Sequence, residues 1–236
     1  MNKSAAQRNL EALTIIAYRL EELCNEVTFV GGCVIGLLIT DKAAPDVRFT
    51  VDVDCIINII TKHNYYKLSE KLRKKGFKEM PFDNHPLCRW DCDGILLDIM
   101  PTDESILGFS NRWYKDALLS AISKKINNSI YIKIISAPYF LATKLEAFKD
   151  RGKQDFLLSH DLEDIISLLD GRAEIIKDIL STAKNLKQYL SSEFLALISK
   201  DQFLQALPGH LNYSFESESR KKIVLERMQA IIDLGK

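Results

Sequence analysis

Apolar residues at Leu10, Leu13, Ile16, Ala17, Leu20 and Leu23 recur three and four apart, so the chain is predicted to open with an amphipathic helix. Residues 27–30 form a short β-prone run that stops at Gly31-Gly32, and Val34, Leu37 and Leu38 then predict a short helix. Residues 40–46 read as a loop by composition. Residues 48–60, rich in Val and Ile, form the strongest predicted strand. A helix follows over 63–75, with Leu68 and Leu72 inward and Gly76 just past its end. Residues 87–91 and 95–100 read as paired strands turning at Asp93-Gly94, a favoured tight-turn dipeptide, and 130–135 is a further strand. From Ser136, with Pro138 in a first helical turn, helical periodicity runs to the end, with breaks at 151–152, 171 and 208–209. The pattern predicts an α+β fold. A mixed β-sheet with flanking helices fills residues 1–136, and a helical domain follows in 137–236.

The proportions of 47% apolar and 27% charged residues in 236 suit a globular protein with one large or two small cores. Lys plus Arg is 32 and Asp plus Glu is 32, so no global field draws the chain to nucleic acid, and any such site must be a local patch. No apolar run approaches the roughly 20 residues of a membrane span, so no membrane partner is expected. The opening residues show no secretory pattern, and the expected compartment is the cytoplasm. Cys24, Cys33, Cys55, Cys88 and Cys92 lie among apolar residues without a Cys-x-x-Cys pair and read as buried thiols. Four scattered histidines argue against zinc.

The candidate chemistry sits in the strongest strand. Strand side chains alternate faces, so Asp52 and Asp54 project from one side while Val51, Val53 and Cys55 face the other. Two carboxylates this close repel by several kcal/mol, on the order of 4 kcal/mol at contact distance. Such a strand needs something positive, and a divalent cation, Mg²⁺ or Mn²⁺, supplies it with oxygen ligands. A solvated edge-strand face is the simpler alternative for an isolated Asp-x-Asp. Asp98, alone inside the apolar run 95–100, would complete a three-carboxylate centre if its strand lay beside Asp52 and Asp54. The Gly31-Gly32 step before a helix offers open backbone to a phosphate.

The order of these features, Val30-Gly31-Gly32, then Asp52-Val53-Asp54-Cys55, then Asp98, resembles the nucleotidyltransferase superfamily. Residues 29–34 are also similar to the opening of tRNA nucleotidyltransferases and poly(A) polymerases, but Ile35-Gly36 stands where those carry Arg-Asp. Further on, residues 141–147, Arg151-Gly152-Lys153 and 160–165 resemble the abortive-infection type E nucleotidyltransferase family, which includes toxins of type IV toxin–antitoxin systems. That resemblance implies active-site roles for Lys144 and Asp161. It also implies a cytoplasmic enzyme that uses an NTP, with RNA or tRNA ahead of protein as acceptor and a cognate antitoxin as a possible partner.

The expected reaction is in-line attack on the α-phosphorus of an NTP. Asp52 and Asp54 would hold two Mg²⁺ ions, with Asp98 ligating the second and steering the acceptor proton. Gly31 and Gly32, with Arg48 and Thr50, are the candidate nucleotide contacts, and Lys144 would neutralise the departing pyrophosphate. Arg48 is equally suited to pairing with Asp46. Residues 111–114, Asn-Arg-Trp-Tyr, could stack on a base or form a packed helix start. Two rivals remain: an Asp-x-Asp glycosyltransferase, which leaves Gly31-Gly32 and Asp98 unexplained, and a degenerate fold that only binds nucleotide, RNA or a partner protein.

Overall fold

The computed structural model describes residues 3–81, 87–152, 155–211 and 217–236. The chain forms two compact units, Met1–Leu37 with Arg48–Ser136, and Leu38–Val47 with Ala137–Lys236. Sequence expectation placed 38–47 in the first unit. Backbone hydrogen bonds put it in the second: the Thr40 and Asp41 amides donate to the Gly171 carbonyl at 3.0 and 2.9 Å. Arg172 Nη1 donates to the Leu38 carbonyl at 2.6 Å.

The first unit begins with α1 (Ala5–Leu20), capped by Ser4. Ser4 Oγ accepts from the Gln7 amide at 3.2 Å, and Gln7 Oε1 accepts from the Ser4 amide at 3.0 Å, a reciprocal capping box. Leu13, Ile16, Ala17 and Leu20 form the buried face of α1, as their spacing predicts. A 3₁₀ segment, Glu21–Asn25, leads into β1 (Val27–Val30), whose four residues are all buried. A 3₁₀ turn, Gly32–Val34, and α2 (Ile35–Leu38) follow.

β2 (Asp52–Ile57) is shorter than the predicted strand. Residues 48–50 find their backbone partners in a side chain instead of a neighbouring strand. Asn9, 2% exposed, donates from Nδ2 to the Arg48 carbonyl at 2.9 Å and accepts the Thr50 amide at 3.1 Å. The ladder therefore starts at Asp52.

α3 (Lys62–Lys74) is capped by Thr61 and ends just before Gly76, whose φ is +86°. β3 (Lys78–Glu79), β4 (Arg89–Cys92) and β5 (Ile95–Pro101) come next, then α4 (Glu104–Leu107), α5 (Tyr114–Leu119), β6 (Ile122–Lys125) and β7 (Tyr131–Ile134). Asp93 and Gly94 have φ of +55° and +85°, as a two-residue hairpin turn requires. Trp113 is buried at the start of α5, so the Asn111–Tyr114 cluster is a packed helix start. β3 and β6 escape the apolar pattern because they are edge strands with mostly exposed side chains.

The strands form one seven-stranded mixed sheet in the order β3-β4-β5-β2-β1-β7-β6. β2 runs parallel to β5, and β1 runs parallel to β7; the remaining neighbours are antiparallel. All five cysteines are buried, and none forms a disulfide among the described residues. Among the described residues, no helix is long and apolar enough to cross a membrane.

The second unit contains α6 (Ala137–Arg151), α7 (His160–Gly171), α8 (Ile175–Leu180), α9 (Lys184–Ile198), α10 (Asp201–Ala206) and α11 (Ser217–Leu234). Pro138 lies in the first turn of α6, where its missing N–H costs no helical bond. The predicted break at 208–209 falls in a 3₁₀ turn, Leu207–His210.

Asn9→Ala leaves the Arg48 carbonyl and the Thr50 amide without their side-chain partner. A loss of about 1–3 kcal/mol in unfolding free energy is expected by urea denaturation.

Candidate metal centre

The site is built by strand register. In the parallel pair β2/β5, Asp54 lies opposite Asp98 and Asp52 opposite Leu96, so all three carboxylates share one face of the sheet. The intervening Val53, Cys55, Leu97 and Ile99 are fully buried on the other face, and this locks the register. Each of Asp52, Asp54 and Asp98 offers a carboxylate oxygen, and these atoms lie within 4.8 Å of one another. Asp52 and Asp54 are half-buried, and Asp98 is buried.

Three carboxylates at this spacing repel strongly, and the structure answers with an arginine. Arg89 Nε donates to Asp98 Oδ1 at 2.8 Å, and its Nη2 donates to Asp98 Oδ2 at 2.7 Å. The same Nη2 reaches Asp52 Oδ2 at 2.9 Å. The hydrogen bonds to Asp98 hold the guanidinium firmly in its charged form, above its ordinary range. Sequence reasoning missed Arg89, although the signal was there. Counting back from the two-residue turn pairs Cys92 with Ile95, Asp91 with Leu96, Trp90 with Leu97 and Arg89 with Asp98.

The donor set suits a hard divalent cation, since all three groups are carboxylates. With Arg89 counted, the cluster keeps two formal negative charges, the charge that one divalent cation balances. The neighbouring thiols add no ligand. Burial, and then the charges of Asp98 and Asp54, push the Cys88 thiol up to about 12. Burial likewise holds the Cys55 thiol well above its usual range, so both stay protonated.

Val30 pairs with Asp54 across β1/β2, which brings Gly31 against the Asp54 side chain. Gly31 adopts φ +71°, ψ −170°, a region held almost only by glycine. A Cβ there would stand 1.9 Å from Asp54 Oδ2. Gly31 is thus required both for its turn and for the room it leaves the carboxylate. Gly32 is buried, and the helical segment after it is one 3₁₀ turn plus the four residues of α2. That is shorter than the helix the dipole argument needs, so any anion contact at Gly31 would come from local backbone groups.

Thr50 is buried, and its hydroxyl donates to the Asp52 carbonyl at 3.1 Å, fixing the start of β2. Arg48 is half-buried, and its carbonyl is held by Asn9.

Lys144 and Asp161 belong to the helical unit. Lys144 lies mid-way along α6, which begins at Ala137. Its ammonium is 3.0 Å from Asp161 Oδ1 and 2.6 Å from Asp164 Oδ2, a buried tie between α6 and α7. Arg151 forks onto Asp161, with both bonds at 2.9 Å. Burial pushes the Asp161 carboxyl up, but the Arg151 hydrogen bonds and the Lys144 charge outweigh it and bring the pKa to about 2. Asp161 and Asp164, three residues apart, share the helix face that meets Lys144, so both carboxylates serve this tie. Lys153 of the family-like motif lies outside the described residues.

No protein-family model and no curated protein matches the sequence. The crystal structure of JHP933 from Helicobacter pylori is similar to this chain, with a TM-score of 0.51 and 13% identity over 97% of this chain and 93% of that one. At this identity the likeness concerns the fold alone.

Gly31→Ala is expected to cost about 1–3 kcal/mol from backbone strain and to displace the Asp54 carboxylate. Denaturation measures the first effect, and loss of Mn²⁺ binding measures the second. Asp161 has a folded pKa of about 2 against an ordinary 3.8, so its stabilisation is complete above about pH 4 and is lost as pH falls toward 2. Between about pH 4.5 and 2.5, wild type should lose on the order of 2 kcal/mol more than Asp161→Asn in urea unfolding; equal losses would remove the pairing as the cause.

Proposed function

We propose that this protein is a metal-dependent nucleotidyltransferase that moves a nucleoside monophosphate from an NTP onto an acceptor hydroxyl. The observation that carries this function is the placement of Asp52, Asp54 and Asp98 on two adjacent parallel strands, with Gly31 packed against the Asp54 carboxylate. The sequence pattern that resembles the nucleotidyltransferase superfamily falls on those same residues.

Asp52 and Asp54 would hold Mg²⁺ or Mn²⁺ through carboxylate oxygens. When bound, the ion supplies Lewis-acid polarisation of the phosphoryl group and a lowered pKa for the acceptor hydroxyl. Asp98 lies opposite Asp54 on the next strand, and it would complete the ligand set and steer the acceptor proton. Gly31, bare of side chain, leaves the room that the Asp54 carboxylate takes beside its backbone. Positioning and electrostatics of this kind account for most of the rate in phosphoryl transfer. An active-site role for Lys144 and Asp161 rests on the family resemblance; within the helical unit they pair with each other and with Asp164 and Arg151. RNA or tRNA is the acceptor proposed first, ahead of protein, and a role as a toxin with a cognate antitoxin follows from the same family resemblance.

One observation favours a second possibility. Arg89 already satisfies Asp98 and Asp52, as it would in a fold that binds nucleotide without turnover.

Incubation of cell extract with each α-labelled NTP and Mg²⁺, followed by separation into RNA, protein and small molecules, decides between them. Wild type should label one fraction from one NTP, and Asp54→Ala should fall to background with its circular dichroism unchanged. Metal-dependent nucleotide binding without label in any fraction would instead support the binding-only fold.

A further inference from the structure

We propose that Arg89 is an internal counter-cation that competes with the metal for Asp98 and Asp52 and thereby sets the metal affinity of the site, a role that rests on the metal-dependent function above.

The geometry is specific. Arg89 uses two nitrogens on the two oxygens of Asp98, and one of these nitrogens also reaches Asp52. A divalent cation held by the triad would need oxygens from these same two carboxylates. Guanidinium and metal carry the same sign and draw on the same carboxylate oxygens, so each weakens the other's hold on Asp98. The backbone of Arg89 is fixed in the β4/β5 ladder opposite Asp98, so exchange must occur by side-chain rotation. Arg89 is 17% exposed at its side chain.

Two consequences follow. Without metal, Arg89 keeps Asp52 and Asp98 from splaying apart, so the ligands wait near their working positions. With metal, part of the binding free energy is spent on displacing the guanidinium, so wild-type affinity is weaker than three carboxylates would otherwise give. Arg89 is in this sense a positioning residue whose removal has opposite effects on two quantities. Metal-free stability falls, because a buried carboxylate loses its partner, while metal affinity rises. A merely structural arginine would lower the first and leave the second unchanged or weaker.

The test uses metal-stripped full-length protein titrated with Mn²⁺, free Mn²⁺ being read by electron paramagnetic resonance and Tm being measured with and without the ion. Arg89→Met should have a lower metal-free Tm than wild type, bind Mn²⁺ at least about tenfold tighter, and gain more Tm from it. Arg89→Lys keeps the charge but loses the fork, and should fall between the two. It decides the matter alone if Arg89→Met does not fold. Asp54→Ala is the control that removes a metal ligand. Equal or weaker Mn²⁺ binding in the Arg89 variants, with binding still lost in Asp54→Ala, would overturn the competition and leave the metal centre standing. Absence of Mn²⁺ binding in wild type and in every variant would overturn both.

Discussion

Electrostatic repulsion among Asp52, Asp54 and Asp98 is the constraint around which the first unit is arranged. Parallel pairing of β2 with β5 brings the three carboxylates together, and the fully buried Val53, Cys55, Leu97 and Ile99 on the opposite face prevent a slip that would separate them. A register shift of one residue would bury the carboxylates and expose the apolar set. The apolar core therefore enforces an arrangement that the charges alone would reject. The Arg89 guanidinium makes it tolerable without metal, because a forked donor can serve Asp98 twice and still reach Asp52.

The surrounding elements serve that arrangement. The tight turn at Asp93-Gly94 sets the hairpin register that delivers Arg89. Gly31 yields the space that Asp54 occupies, and Asn9 takes up the backbone of residues 48–50 so that the ladder begins at Asp52. Each is a local choice whose reason lies several strands or a whole helix away in sequence.

The helical unit manages buried charge in the same manner with different partners. Lys144 lies between Asp161 and Asp164, and Arg220 joins Asp41 to Asp170. Arg227 donates to the carbonyls of Leu169 and Asp170 at the end of α7. The Arg220 contacts to Asp41 and Asp170, with the amides of Thr40 and Asp41 on Gly171, explain why Leu38–Val47 folds with the helical unit although its flanking residues belong to the first unit.

Much was legible in the sequence because it depended on local periodicity. The burial of α1, the cap at Gly76, the turn at Asp93-Gly94, and the shared face of Asp52 and Asp54 follow from spacing of a few residues. Other features were decided only by tertiary structure. The placement of Asp98 beside Asp54 depends on which strands are neighbours, and that is not encoded in either strand alone. The start of β2 at Asp52 depends on a side chain from α1, and the burial of Lys144 depends on α7 packing against α6. Arg89 lies between these cases: its partner was countable from the turn, but its hold on Asp52 exists only because β5 sits between β4 and β2. The sequence by itself determined which residues are carboxylates, glycines and strand formers and the faces they share. The sheet order decided which opposite charges meet, because pairing across strands joins residues far apart in the chain.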